Sequence, residues 1–249
     1  MPLPRNRNRP EHARELLRVS GQAAVEALFA SAPERVERLF FEARTKPTLG
    51  GCCAILARAR KPYREVAPAE LARIAGTPLH GGVVAVARPQ PLLQFDPMAA
   101  RDGQPLLILD GIGNPHNLGA IARSAAFFGV EHLLLADRPE QALPSDAAYR
   151  VAEGGLDRLM LYRASLATAL PALRPAYRLV AAVAEHGRPW RPASERPTAL
   201  ILGNEEAGVA PAVLALCDEK VTIPGCGRVQ SLNVASAAAI LLYELTRGG

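Results

Sequence analysis

The stretch from Val221 to Leu245, VTIPGCGRVQSLNVASAAAILLYEL, constrains this chain more than any other. A short β-prone run, Val221 to Ile223, stops at Pro224-Gly225, and a Gly-rich loop follows. Ser231 then opens an Ala-rich segment that is apolar almost all the way round. Ser is a preferred helix N-cap, and Pro and Gly mark the turn before it. A helix with no polar face must be covered on several sides. The rest of the chain, a second subunit, or both must therefore bury it. Ser231 and Asn233 sit at its mouth, which is where chemistry is expected.

At 249 residues the chain is long enough for one or two domains, and a hydrophobic content of 49% is enough for real cores. No apolar run reaches the ~18 residues of a membrane span. The basic N-terminus has no apolar segment behind it, so no secretory signal is expected. Cys52, Cys53, Cys217 and Cys226 form no metal-ligand pattern. Their plain reading is free thiols in a cytoplasmic enzyme without a metal.

The net charge of +5 is unevenly spread. Residues 1–91 carry 15 Lys and Arg against 8 Asp and Glu, whereas residues 92–249 carry 14 against 16. The surplus in the first third is almost all Arg, since Lys46, Lys61 and Lys220 are the only lysines. The planar fork of Arg suits phosphate and base-edge contacts. The charge split thus points to a nucleic-acid partner, set against an ordinary solvated face.

Residues 1–12 look like a flexible basic arm. A short helix is expected over Glu11–Leu17, another over QAAVEALFAS after Gly21, and a strand over Val36–Glu42. A helix over Thr48–Arg60, a short strand at Arg64–Val66, a helix over Pro68–Ile74 and the strand VVAVA complete a small α/β domain, residues 13–90. The Pro-rich, aperiodic residues 91–103 read as a linker. The second domain, 104–249, begins with PLLILDGI, a continuous apolar run ending in a turn, as in a buried parallel strand. Helices over 117–128, 146–153, 165–174 and 211–217 alternate with strands at 132–136, 159–162, 177–184 and 198–202, with a loop at 188–197. The pattern is a doubly wound, mostly parallel α/β sheet, whose ligands bind beyond the carboxyl ends of the strands. Loops 110–117, 203–209 and 224–233 are the unusual ones.

Familiar phosphate motifs fail there. Gly111-x-Gly113 lacks the third glycine of a dinucleotide fingerprint, which is His116, and Gly203-x-x-x-x-Gly208 is followed by Val209-Ala210 rather than Lys-Ser/Thr. Ser231 has no evident His partner for a hydrolase triad. Three polar groups remain: Asn117 with Arg123, Glu205, and Ser231 with Asn233. Asn117 and Ser231 can each be plain helix caps. Arg123 lies among Ala120, Ile121, Ala122, Ala125 and Phe127, so it needs a partner or solvent. Glu205 is a candidate for that partner.

LDGIGNPHNLGAIARSAAFFGV (109–130), LILGNEEAGV (200–209) and IPGCGRVQSLNVASAAAILLYEL (223–245) resemble, in order, the three motifs of the SpoU (TrmH-like) family of RNA 2′-O-ribose methyltransferases. VAPAELARIAGTPLHGGVVAVA (66–87) is similar to part of that family's small substrate-binding domain, itself like an RNA-binding ribosomal protein. Ala235 stands where the family often has a Ser, and Gln230 where other residues are common; neither removes a catalytic group.

The resemblance implies an α/β-knot (SPOUT-type) catalytic domain with a deep trefoil knot, a threading that patterning alone argues against. It implies S-adenosylmethionine as methyl donor, with Gly203, Ile223 and Leu232 at the cofactor positions, and a homodimer packed through the knot region and the last helix. It further implies that Arg123 stands at the ribose 2′-hydroxyl. Arg stays protonated in proteins, so a phosphate clamp and stabiliser of the developing alkoxide suits it better than a base. Asn117 would then orient the Arg loop, Glu205 would neutralise Arg123, and Ser231 and Asn233 would position the ribose. The substrate class is rRNA or tRNA, the two-domain layout favouring rRNA. The alternative is a non-catalytic RNA-binding or assembly factor that has kept the fold.

Overall fold

The structure is a computed structural model and describes residues 16–96, 103–190 and 196–247. The basic arm expected at 1–12 lies outside them, as does most of the helix expected over Glu11–Leu17. Leu17 itself opens a strand, β1 (Leu17–Ser20). Arg18 is exposed between buried Leu17 and Val19, Ser20 is buried too, and β1 pairs antiparallel with the VVAVA strand. Helix α1 (Gln22–Ser31), strand β2 (Val36–Phe41), helix α2 (Gly50–Arg58), strand β3 (Tyr63–Glu65), helix α3 (Pro68–Ala75) and strand β4 (Val83–Ala87) follow. Helix α2 starts at Gly50 because residues 43–48 form a tight 3₁₀ segment containing Pro47. The four strands form one sheet in the order β1-β4-β2-β3.

The expected linker is partly ordered into the next sheet. Strand β5 (Leu93–Gln94) pairs with a strand of the second domain, so this segment covers an edge rather than hanging free. Then come β6 (Leu106–Asp110), α4 (Pro115–Phe127), β7 (His132–Ala136), α5 (Asp146–Ala152), β8 (Met160–Ala164), α6 (Leu166–Leu173) and β9 (Arg178–Ala182). Strand β10 (Arg188–Pro189) lies in what the sequence presents as loop, and β11 (Thr198–Gly203), α7 (Pro211–Leu214), β12 (Glu219–Thr222) and α8 (Val234–Thr246) complete the chain. The second sheet runs β10-β12-β9-β11-β6-β7-β8-β5, and every pairing in it is parallel.

Central strands β6, β7 and β11 are buried along their whole lengths. Helices on both faces explain why they read as unbroken apolar runs. Leu106, Ile108, Leu134 and Ile201 face α6 and α7, while Leu107, Leu109, Leu133 and Leu200 face the other way. That second face carries α4, α5 and α8, and its apolar core continues into the small domain through Val25, Leu28, Leu39 and Leu56.

Polar contacts reinforce the junction. The Arg35 guanidinium donates to Asp157 Oδ1 at 2.8 Å, to the Tyr149 hydroxyl at 3.0 Å and to the Arg88 carbonyl at 3.0 Å. Arg35 and Asp157 are both buried. Burial alone would lower the Arg35 value, but Tyr149 and Asp157 outweigh it and raise it, so the guanidinium stays charged. Burial, with Asp157 adding to it, pushes the Tyr149 phenol up to about 12, so it keeps its proton. Among the described residues no helix is long and apolar enough to cross a membrane.

Candidate active site: three loops at the strand ends

Each unusual loop leaves the carboxyl end of a parallel strand or leads into a helix. Asp110, at the end of β6, is almost wholly buried; its Oδ1 accepts from Arg138 at 2.7 Å and its Oδ2 from the Ala210 N–H at 2.8 Å. It ties the loop after β6 to the loop after β11. Asn204 adds a second tie, donating to the Gly111 carbonyl at 2.8 Å while its Oδ1 accepts from the N–H groups of Glu206 and Ala207. Gln141 braces the first loop by accepting from the Gly111 and Ile112 N–H groups. None of these three was singled out from sequence. The signal was present for Asp110, a carboxylate ending an otherwise wholly apolar strand.

Pro115 takes the first position of α4, where a missing N–H costs nothing. Asn114 is the N-cap, accepting from the His116 N–H at 2.8 Å. Asn117, a possible cap from sequence, is instead free to use its side chain elsewhere. Its Nδ2 donates to Glu205 Oε1 at 2.5 Å, and its Oδ1 accepts from Asn233 Nδ2 at 3.2 Å. The helix expected to open at Ser231 begins three residues later. Asn233 is its cap, with Oδ1 accepting from the Ala235 N–H at 2.9 Å. Ser231 lies exposed in the loop before it.

The structure therefore joins Glu205, Asn117 and Asn233, one from each motif. It separates Arg123 from them. Six residues along α4 amount to about 9 Å of rise and roughly 120° of rotation. The Arg123 guanidinium pairs with Glu153 at 2.9 Å, not with Glu205 as expected.

At the cofactor positions, Gly203 sits where the 204–208 turn folds back through the Asn204–Gly208 bridge. A Cβ there would fall 2.1 Å from the Val209 nitrogen, so only glycine admits this approach. Ile223 is half-buried against the core, while Val229 and Leu232 are exposed. Apolar side chains open to solvent beside a Gly-rich backbone suit the flat adenine and apolar contacts of S-adenosylmethionine. No group of metal-binding side chains is found among the described residues.

Residues 104–243, more than half the chain, match the SpoU rRNA methylase family, and residues 18–93 match the RNA 2′-O ribose methyltransferase substrate-binding family. The 23S rRNA (guanosine-2′-O-)-methyltransferase RlmB of Acinetobacter baylyi is 33% identical over 91% of this chain and 95% of its own length. An uncharacterised tRNA/rRNA methyltransferase, YfiF of Escherichia coli O157:H7, is 34% identical over 94% of this chain and 68% of its own. Among solved structures, the SpoU methyltransferase AviRb of Streptomyces viridochromogenes in complex with AdoMet superposes with a TM-score of 0.73. It is 29% identical and covers 94% of this chain and 90% of that one. The α/β-knot class of the resemblance is thus the class of this fold, and the chain belongs to the SpoU rRNA methylase family.

Proposed function

We propose that this protein transfers a methyl group from S-adenosylmethionine to a ribose 2′-hydroxyl of ribosomal RNA. The observation that carries the reading is the hydrogen-bonded chain Glu205–Asn117–Asn233, which knits the three motif loops together beyond the strand ends. Ribosomal RNA is preferred to tRNA because the RlmB relative aligns with this chain almost end to end.

The cofactor supplies an electrophilic methyl on a sulfonium when bound. The chain's residues hold the acceptor in line. Asn117 and Asn233 fix the edge against which the ribose lies, with Ser231 within the same loop and Glu205 anchoring Asn117. Holding two reactants in an attack geometry contributes up to about 7–11 kcal/mol. Arg123, which α4 turns away from that edge, clamps a substrate phosphate beside the ribose, and its charge steadies the oxyanion as the 2′-hydroxyl loses its proton, a phosphate oxygen being the acceptor. Gly203, Ile223 and Leu232 form the cofactor wall. Gly203→Ala is expected to cost about 1–3 kcal/mol of stability by overpacking and to weaken S-adenosylmethionine binding in calorimetry. Unchanged binding would remove Gly203 from that wall.

Residues 13–90, with the basic arm at 1–12, form the RNA-recognition unit, residues 91–103 the connection and residues 104–249 the catalytic unit of a cytoplasmic enzyme. A homodimer through α8 and the adjoining loops completes the proposal. Phe127, Ile240 and Tyr243 are exposed, and the Phe127, Phe128 and Tyr243 rings stand in a row with centroids 5.1 and 6.2 Å apart. Such exposed apolar residues support an association surface there. Replacing both Ile240 and Tyr243 by Asp is expected to give monomers in sedimentation analysis. A wild-type monomer at micromolar concentration discards the dimer.

The function itself is tested by mapping alkaline-resistant positions in ribosomal RNA from cells with and without the gene. One position should lose its 2′-O-methyl mark in the deletion and regain it with purified protein and S-adenosylmethionine. Identical maps reject the assignment.

A further inference from the structure

The turn between α5 and β8 meets the arginine assigned to the ribose from one side and the small domain from the other. Glu153 caps α5 in the left-handed region, at φ 44° and ψ 45°, with its N–H donating to the Tyr149 carbonyl. Residues other than Gly, Asn or Asp seldom adopt that conformation. From there its carboxylate reaches the Arg123 guanidinium at 2.9 Å. Two residues on, Gly155 lies so close to α4 that a Cβ would stand 2.7 Å from Arg123 Cα. Two further on, Asp157 receives the buried Arg35 of the small domain. Three residues within a five-residue stretch thus meet the side chain of Arg123, its backbone, and the docked domain.

We propose that Glu153 is a positioning residue for Arg123, holding the guanidinium in its working direction from a turn that the small domain pins. A backbone outlier that aims a charge at an active-site group is where strain serves function. The exposed pair contributes little to stability, since both side chains are more than half in solvent. Its role is directional. The inference rests on the assignment of Arg123 to the 2′-hydroxyl.

The test uses the full-length protein, ribosomal RNA from cells lacking the gene, and S-adenosylmethionine with a labelled methyl group. Glu153→Gln keeps the shape and removes the charge. Its kcat is expected to fall by roughly two- to fivefold, the largest bias in direction that an exposed ion pair can set. KM for RNA, S-adenosylmethionine affinity and melting temperature are expected to stay at wild-type values. Glu153→Asp, which keeps a shorter carboxylate, should recover part of kcat. Glu153→Gly relieves the left-handed backbone, so its melting temperature should equal or exceed the wild type while kcat drops as in Glu153→Gln. A merely structural Glu153 would lower both together. Unchanged kcat in Glu153→Gln, or a lowered KM at unchanged kcat, overturns the proposal, the latter making Glu153 only a competitor of RNA. Arg123→Ala is assayed alongside. If it still transfers methyl, the assignment of Arg123 falls and this proposal with it. If it is inactive while Glu153→Gln is undisturbed, this proposal alone falls.

Discussion

Arg123→Ala is expected to lower kcat by about a thousandfold, the scale of losing a group that stabilises developing charge, and to leave S-adenosylmethionine binding unchanged in calorimetry. The reason lies in where α4 places the residue. Leu118, Ile121, Ala122 and Ala125 turn into the core, while Arg123 points out with more than half of its side chain in solvent. Truncation removes a charge without opening a cavity, so stability should move by no more than about 0.5 kcal/mol. Loss of activity with a wild-type melting curve is therefore the signature. Arg123→Lys should restore only part of the rate, because a point charge replaces a fork that engages two oxygens. Wild-type turnover in Arg123→Ala would require another cation to face the ribose.

The largest loss of stability is expected from Asp157→Ala. It strands the Arg35 guanidinium in a pocket where Tyr149 and the Arg88 carbonyl are its other acceptors. Removing one partner of a buried pair costs about 3–5 kcal/mol. For a chain of this length that is about 10 °C in melting temperature. Desolvation works against the pair: burial raises the Asp157 value even though Arg35 pulls it down. Arg35→Met combined with Asp157→Leu should therefore recover much of the loss. A scan showing Asp157→Ala melting with the wild type would mean that solvent reaches the junction.

What the sequence made legible follows the range of the interactions involved. Strands β6, β7 and β11 were readable because burial on both faces leaves a continuous local run of Leu and Ile. Asn117, Glu205 and Asn233 emerged as polar residues at strand ends, and the structure joins them. The cap of α8 was misread as Ser231 because Ser and Asn both suit that position; the backbone at Asn233 decides it. Strands β5 and β10 have two residues each, too few to carry a period. The Arg35–Asp157 and Arg123–Glu153 pairs have no local trace at all. One spans 122 positions, and the other depends on a left-handed Glu153 that nothing in VAEGG demands. Motif resemblance grouped Glu205 with Arg123, whereas α4 turns them apart.

The apolar core that passes without a break from β2 and α1 into α4 and α5 has a consequence for the nucleic acid. Two lobes sharing one interior, with a buried cation seated in the seam, are expected to resist folding over a ligand as hinged lobes do. The adjustment on association falls to the RNA. An unpaired loop or bulge swings a ribose outward at small cost, whereas a ribose in an A-form duplex is held by pairing and stacking on both sides. A stiff enzyme of this shape is expected to select its nucleotide by how readily the RNA deforms as well as by which bases flank it.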